Sequence, residues 1–358
     1  MKKSDLSADS IDRRRFLVRI GHSVATIGVA GATVGLLSKC KPTQVSKPGE
    51  GIRWSHNHAL PNANAEVQPV PGTRSELTPL EDHYRVINTR IPDVPDIDAW
   101  RLKITGLVEE PLSWDIEKIR RFESISEFIT LTCISNPVGG PLSSTTRWTG
   151  VSLQTILPYW KLKPNATHFT IRAADGFFES LALETIREDK RVMLAYEWDG
   201  VPLPMAHGYP LRIYIPNRYG MKQPKWIESI EATDHWEPGF SVKNTWDKDA
   251  IMEATSVIDT IVTEGEDIVL IGGIAHAGSR GISRVQIQVD GGVWEDAQLR
   301  QPLSELSWVI WRYQWPFRKG EHEFVVRTFD KSGVMQKEEK SGPYPDGATG
   351  YFSKTQTL

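Results

Sequence analysis

The sequence predicts two folded parts of different class: an α+β domain over residues 81–243, followed by an all-β sandwich over 244–358. Three observations carry this. From Tyr84 to about residue 243, short helical periods and strand-like alternation are mixed irregularly, which fits α+β better than a doubly wound sheet. Beyond about 245 the helical period disappears, and strands follow one another across Gly, Asp and Pro turns. With 358 residues, 39% hydrophobic and 13 Trp, the chain is long enough for more than one core.

Each segment adds its own reason. Residues 1–40 hold Arg13, Arg14 and Arg15 ahead of Phe16 and Leu17, then a mildly apolar Gly/Ala-rich run to Leu37. A basic segment before an apolar one is a targeting signal, and an arginine pair before Phe-Leu resembles the twin-arginine export address. The expected location is the periplasm or the outer face of the cytoplasmic membrane. "LLSKC" raises lipidation of Cys40, although Lys39 suits such a cleavage box poorly. Residues 41–80, rich in Pro, Asn, Gly and Ser, read as an extended linker.

In the α+β part, "AWRLKITGLV" (99–108) alternates as a half-buried strand. "SWDIEKIRRF" (113–122) has helical spacing, with Ser113 placed as N-cap. "SEFITLTC" and "HFTIRAADG" read as strands, while "SLQTILPYW" and "LALETIRED" read as short helices. "RVMLAYEWDGVPLP" is a strand with an Asp-Gly turn, and "PLRIYIPNRYG" is another strand. Further on, "DIVLIGGIAHAG", "SRVQIQVDGGVW", "SWVIWRYQWPF" and "HEFVVRTFDKSG" are strands, with "VDGG" as a hairpin signal. This pattern predicts an immunoglobulin-like sandwich, without a cysteine pair.

Several chemistries are excluded by missing motifs. There is no phosphate loop and no strand–GxGxxG–helix unit. H-E-x-x-H, C-x-x-C-H and G-x-S-x-G are also absent. The net charge of −3 gives no support for nucleic-acid binding. Cys133, the one cysteine of the folded part, therefore stands out at the end of an apolar run. Three readings stay open for it: a buried small hydrophobe, a nucleophile partnered by His168 or His207, or a soft metal ligand. A second cluster, "HGYPLRIYIPNRYGMKQPKW" (207–226), gathers His207, Arg212, Lys222 and Lys225 among glycines and aromatics, which suits an anion pocket.

Taken in order, "LTCISN", "RWTGVSL" (147–153), "HGYPLR" and "RYGMKQPKW", with "WRLKITGLV" upstream, resemble the sulfite oxidase family of molybdenum enzymes. The segments "SRVQIQVDGGVWEDAQL" and "WVIWRYQWP" resemble that family's C-terminal immunoglobulin-like dimerisation domain. The resemblance covers about residues 80–358.

It implies one molybdenum–molybdopterin per chain, with the metal held by two dithiolene sulfurs and by Cys133 as catalytic ligand. It also implies that Tyr84, Arg85, Asp175, His207, Arg212, Gln223 and Lys225 contact the cofactor, and that the loop after Cys133 leaves room for it. A homodimer and a separate electron-transfer partner, a cytochrome or quinol system, follow in the same way. The implied activity is two-electron oxygen-atom transfer to or from a small substrate. Reduction of S- or N-oxides and a catalytically silent envelope assembly protein are the alternatives. The resemblance stops at the substrate end. Ile134, Ser135, Asn136, Pro137 and Val138 are uncharged where animal and plant sulfite oxidases carry basic residues. The methionine-sulfoxide reductase branch shares the export signal but lacks the sandwich.

Overall fold

The computed structural model describes residues 47–88 and 90–358; the arginine-rich leader and Cys40 lie outside the described residues. The strands are β1 (Leu102–Gly106), β2 (Leu112–Trp114), β3 (Ser124–Thr132), β4 (Ser143–Ser152), β5 (His168–Ala173), β6 (Phe178–Ala182), β7 (Met193–Trp198), β8 (Val201–Pro202), β9 (Arg212–Tyr214) and β10 (Ile227–Thr233). They continue as β11 (Thr255–Glu264), β12 (Ile268–His276), β13 (Ile282–Val289), β14 (Glu295–Asp296), β15 (Gln298–Leu299), β16 (Val309–Pro316), β17 (Glu321–Asp330) and β18 (Phe352–Thr357). The helices are short: α1 (Trp54–Asn57), α2 (Ile116–Arg120), α3 (Leu153–Ile156), α4 (Leu183–Glu188) and α5 (Phe240–Lys243).

Four sheets organise these elements. One runs β2-β1-β10-β5-β6, parallel only at β1/β10. A second runs β3-β4-β7-β8, with β9 paired to β7. The remaining two, β11-β12-β16-β15 and β14-β13-β17-β18, enclose a core that includes Ile271, Trp311, Val285, Phe324 and Val326. The fold is thus a mixed α+β assembly followed by a β-sandwich. The first sheet buries Leu102, Ile104, Phe169 and Ile230 against Ile119 of α2, Ile156 of α3 and Trp160.

Local chemistry explains most boundaries. The Asp199-Gly200 turn between β7 and β8 takes positive φ at both residues, the geometry of a tight two-residue hairpin. Asp290 and Gly291 of "VDGG" do the same after β13. The 113–122 helix starts later than the periodicity predicts. Ser113 pairs with Lys103 inside β2, and Asp115 is the N-cap, accepting from the Lys118 amide at 2.6 Å. Sheet pairing to β1 captures the residues that helical spacing alone would have wound.

The segment read as an extended linker instead holds the short helix α1 and several turns, and it is bound to the rest of the chain. The Trp54 amide donates to Asp199 O at 2.7 Å. Buried Arg300 donates to Asn62 O, Val67 O and Glu76 Oε1 at 2.8, 2.8 and 3.0 Å. Arg74 grips Asp259 of β11 through Nε and Nη2.

Candidate active site

The site grows from the C-terminal end of β3. The strand runs antiparallel to β4 through Thr132, where the Thr132 and Ser143 hydroxyls meet at 2.9 Å. Cys133 follows, 8% exposed, at the point where pairing stops. The loop beyond it is stapled shut. The Cys133 amide donates to Leu142 O at 3.0 Å, the Asn136 amide to Cys133 O at 3.0 Å, and the Leu142 amide to Asn136 Oδ1 at 2.8 Å. A side chain is therefore held at a fixed spot by a rigid backbone, as a ligand position requires.

Of the loop after Cys133, Ile134 and Ser135 line the cavity described below, whereas Gly139 and Gly140 do not. A Cβ on Gly139, whose φ is +79°, would lie 2.3 Å from the Phe352 ring of β18, and one on Gly140 would lie 2.5 Å from Asn136 Oδ1. These glycines let the loop pack on itself and on the sandwich, and neither lines the cavity.

That cavity, about 170 Å³, opens beside Cys133. Tyr84, Asp175, His207, Arg212, Gln223 and Lys225 all line it with Cys133. Arg85 does not, although its charge acts on His207 and Lys225. Asp175 also serves its own turn, accepting from the Phe177 amide at 3.0 Å.

Two cations line the same cavity. Arg212 opens β9, opposite Ala195 of β7, and is 5% exposed. Its guanidinium lies 4.7 Å from the Trp148 ring centroid and donates to His207 O at 3.1 Å. Burial holds it down to about 10. Lys225 donates to Val86 O and Ala206 O at 3.0 and 3.3 Å and stacks on Trp226. Burial first, and then the Arg212 charge, lower its ammonium to about 7. Gly208, at φ +112°, lets these strands approach: a Cβ there would sit 3.1 Å from both the Arg212 and the Lys225 Cβ.

Two side chains beside these cations each hold one unpartnered atom. Gln223 Oε1 and His83 Nε2 are buried without a hydrogen bond among the described residues. The His83 ring lies edge-on to His207 at 4.8 Å, with Trp148 and Trp198 also around it. Burial lowers His83 to about 4. Burial and the neighbouring His83, Arg212 and Lys225 lower His207 to about 2, so both rings are neutral at ordinary pH. His83 has no sequence signal: a lone histidine in a loop shows no spacing, and only the fold brings it to His207.

Two residues of the sequence reading are elsewhere. Lys222 is not part of the anion pocket. Its ammonium is buried against Glu179 Oε1 at 2.5 Å and donates to Lys248 O at 3.1 Å. His168 starts β5, bonded to Thr167 Oγ1, and does not line the cavity. With His207 held well below neutrality beside the two cations, a thiolate–histidine nucleophile pair finds no support here. The Cys133 thiol instead meets the Ser135 hydroxyl at 3.0 Å. Among the described residues, no three His, Cys, Asp or Glu side chains cluster to hold a metal on their own.

A thiol at a rigid strand end, buried Arg212 and half-buried Lys225 in the same cavity, and orphaned polar atoms beside them suit an anionic, hydrogen-bonding cofactor. Comparisons with known proteins agree. Residues 88–241 match the oxidoreductase molybdopterin binding domain. Mitochondrial sulfite oxidase of Rattus norvegicus is 27% identical over 325 residues, covering 76% of this chain and 59% of that protein. Sulfite oxidase of Arabidopsis thaliana is 26% identical over 338 residues, covering 77% and 86%. Among solved structures, the sulfane dehydrogenase SoxCD from Paracoccus pantotrophus superposes with a TM-score of 0.69 at 20% identity, over 92% of this chain and 99% of that one. The chain thus carries a molybdopterin-binding oxidoreductase domain and is similar to sulfite oxidases over about three quarters of its length. It spans 59% of the length of the rat enzyme it matches.

Proposed function

We propose that the protein is an oxygen-atom-transfer oxidoreductase whose molybdenum is bound by Cys133. The observation that carries this is one cavity lined by Cys133 together with buried Arg212 and half-buried Lys225. When bound, a molybdenum–molybdopterin supplies the two-electron redox chemistry and the transferable oxygen site. The residues present fit it. A metal-bound thiol is deprotonated, so Ser135 would then donate its hydroxyl to the sulfur and fix its direction. Arg212 and Lys225 would neutralise the phosphate tail, one as a planar fork and one as a point charge. Arg85 would add charge beside them. The free atoms Gln223 Oε1 and His83 Nε2 would take up pterin hydrogen bonds, with His207, Tyr84 and Asp175 around them.

Outside the cavity, the reading keeps its other parts. The leader delivers the folded protein through the twin-arginine route to the periplasmic side. One cofactor occupies each chain. The part from 244 onward is an immunoglobulin-like dimerisation domain beside a cofactor domain at 81–243. Electrons are exchanged with a separate cytochrome or quinol system.

The test is metal and pterin analysis of protein matured in a molybdenum-competent host, on wild type and Cys133→Ser. Wild type should carry stoichiometric molybdenum. The serine variant should fold but lose the metal's activity, since an alkoxide is a hard replacement for a soft thiolate. Full activity in Cys133→Ser refutes the ligand assignment, and a molybdenum-free wild type refutes the function.

A further inference from the structure

Cys133 opens a tight turn. Its carbonyl accepts from the Asn136 amide at 3.0 Å, so Ile134 and Ser135 hold the two middle positions. The turn is locked from outside. Asn136 Oδ1 accepts from the Leu142 amide at 2.8 Å, and a Cβ on Gly140 would lie 2.5 Å from that same oxygen. Gly140 thus keeps the space that the Asn136 side chain needs. With the turn closed, Ser135 folds back over the residue that opened it, and its Oγ stands 3.0 Å from Cys133 Sγ.

Among the described residues, this is the one hydrogen bond to the sulfur. Tyr84, Tyr219 and Lys225 sense Cys133 through its charge, with no hydrogen bond to it. Either hydroxyl or thiol can donate while both carry a proton. A metal-bound sulfur has lost its proton, so the direction is then fixed: Ser135 donates and the thiolate accepts. Ser135 is half-buried on the cavity wall, where such a bond keeps more of its strength than in water.

We infer that Ser135 tunes the redox potential of the site: its hydroxyl raises the potential of the metal by drawing electron density from the Cys133 thiolate. This rests on the reading that Cys133 carries the metal. The oxidised metal takes more density from its sulfur than the reduced metal does. The sulfur is therefore the poorer acceptor in the oxidised state, and the hydrogen bond favours the reduced state. Acting through Cys133, Ser135 is a positioning residue and not a ligand. The part of a charge-assisted hydrogen bond that differs between the two states is enough for about a tenfold change in the one-electron equilibrium, which is about 59 mV.

The experiment is a redox titration of holoenzyme whose molybdenum content has been measured. The readouts are the electron paramagnetic resonance signal of the half-reduced metal and the sulfur-to-metal absorption band. Ser135→Ala should keep its molybdenum and lower the midpoint by about 59 mV, a tenfold change. Its absorption band should move to longer wavelength, because the thiolate electrons are held less tightly. Ser135→Thr, which keeps the hydroxyl, should return both readouts to the wild-type values. Three outcomes overturn the proposal. One is a Ser135→Ala midpoint that stays put or rises. Another is a threonine variant shifted as far as the alanine one, which assigns the effect to packing. The third is loss of molybdenum from Ser135→Ala, which makes the hydroxyl a fastener of the site. Cys133→Ser tests the underlying reading separately: if it keeps the wild-type band and midpoint, Cys133 is not the ligand, whatever Ser135 does.

Discussion

Lys225→Met in the cofactor-free protein is the sharpest test of the cavity's cations. The ammonium is lowered from 10.5 to about 7, chiefly by burial and next by the charge of Arg212. The unfolded chain therefore binds more protons than the folded one between about pH 7 and about pH 10.5, and stability must rise with pH across that window. At 1.36 kcal/mol per unit the shift sets a ceiling of about 5 kcal/mol. Lys225 keeps some contact with solvent, so about 2–3 kcal/mol is the realistic size.

Other groups leave the window clear. His83 and His207, at about 4 and about 2, finish titrating below it. Tyr84 and Tyr219 are raised by burial, so they begin to matter only near the top. Comparing wild type with Lys225→Met subtracts every group they share. Chemical denaturation from about pH 7 to about pH 9.5 should show wild type gaining about 2–3 kcal/mol relative to the variant. A difference that stays flat with pH, or moves the other way, refutes the claim that this lysine is desolvated beside Arg212. With the cofactor bound, a phosphate should restore the charge and abolish the slope.

Arg212→Ala should reduce retained molybdenum and pterin in equal proportion, by about one to two orders of magnitude in affinity, because a charge-assisted phosphate contact is lost. Activity per molybdenum should hold, and its selective loss would move Arg212 to the substrate pocket. Glu179→Gln leaves the Lys222 ammonium without its carboxylate in a dry site and should destabilise by about 3–5 kcal/mol, read as a lower denaturation midpoint. An unchanged midpoint would mean that the pair is more solvated than its burial implies. Replacing Arg14 and Arg15 by lysine should leave cofactor-loaded protein in the cytoplasm, checked by fractionation, since the export system reads the arginine pair.

The sequence by itself determined what depends on neighbours along the chain. Alternation marked most long strands, and Asp-Gly and "VDGG" marked tight turns through residues that accept positive φ. Ordered motifs pointed to Cys133, Arg212, Gln223 and Lys225, all of which line one cavity.

What tertiary structure decided are pairings across long separations, which no local period records. Lys222 looks like an anion ligand in its own stretch, and Glu179, 43 residues earlier in the chain, takes it away. His83 becomes a site residue because the fold sets it beside His207. Residues 47–80 lack a hydrophobic period because their backbone and polar side chains are satisfied by distant partners such as Arg300 and Asp259. Trp246 packs on the apolar cluster that holds Ile134 and Met221, a meeting no local period records. Charge and burial at a site are properties of the packed set, so Cys133 could be singled out from sequence while its surroundings could not.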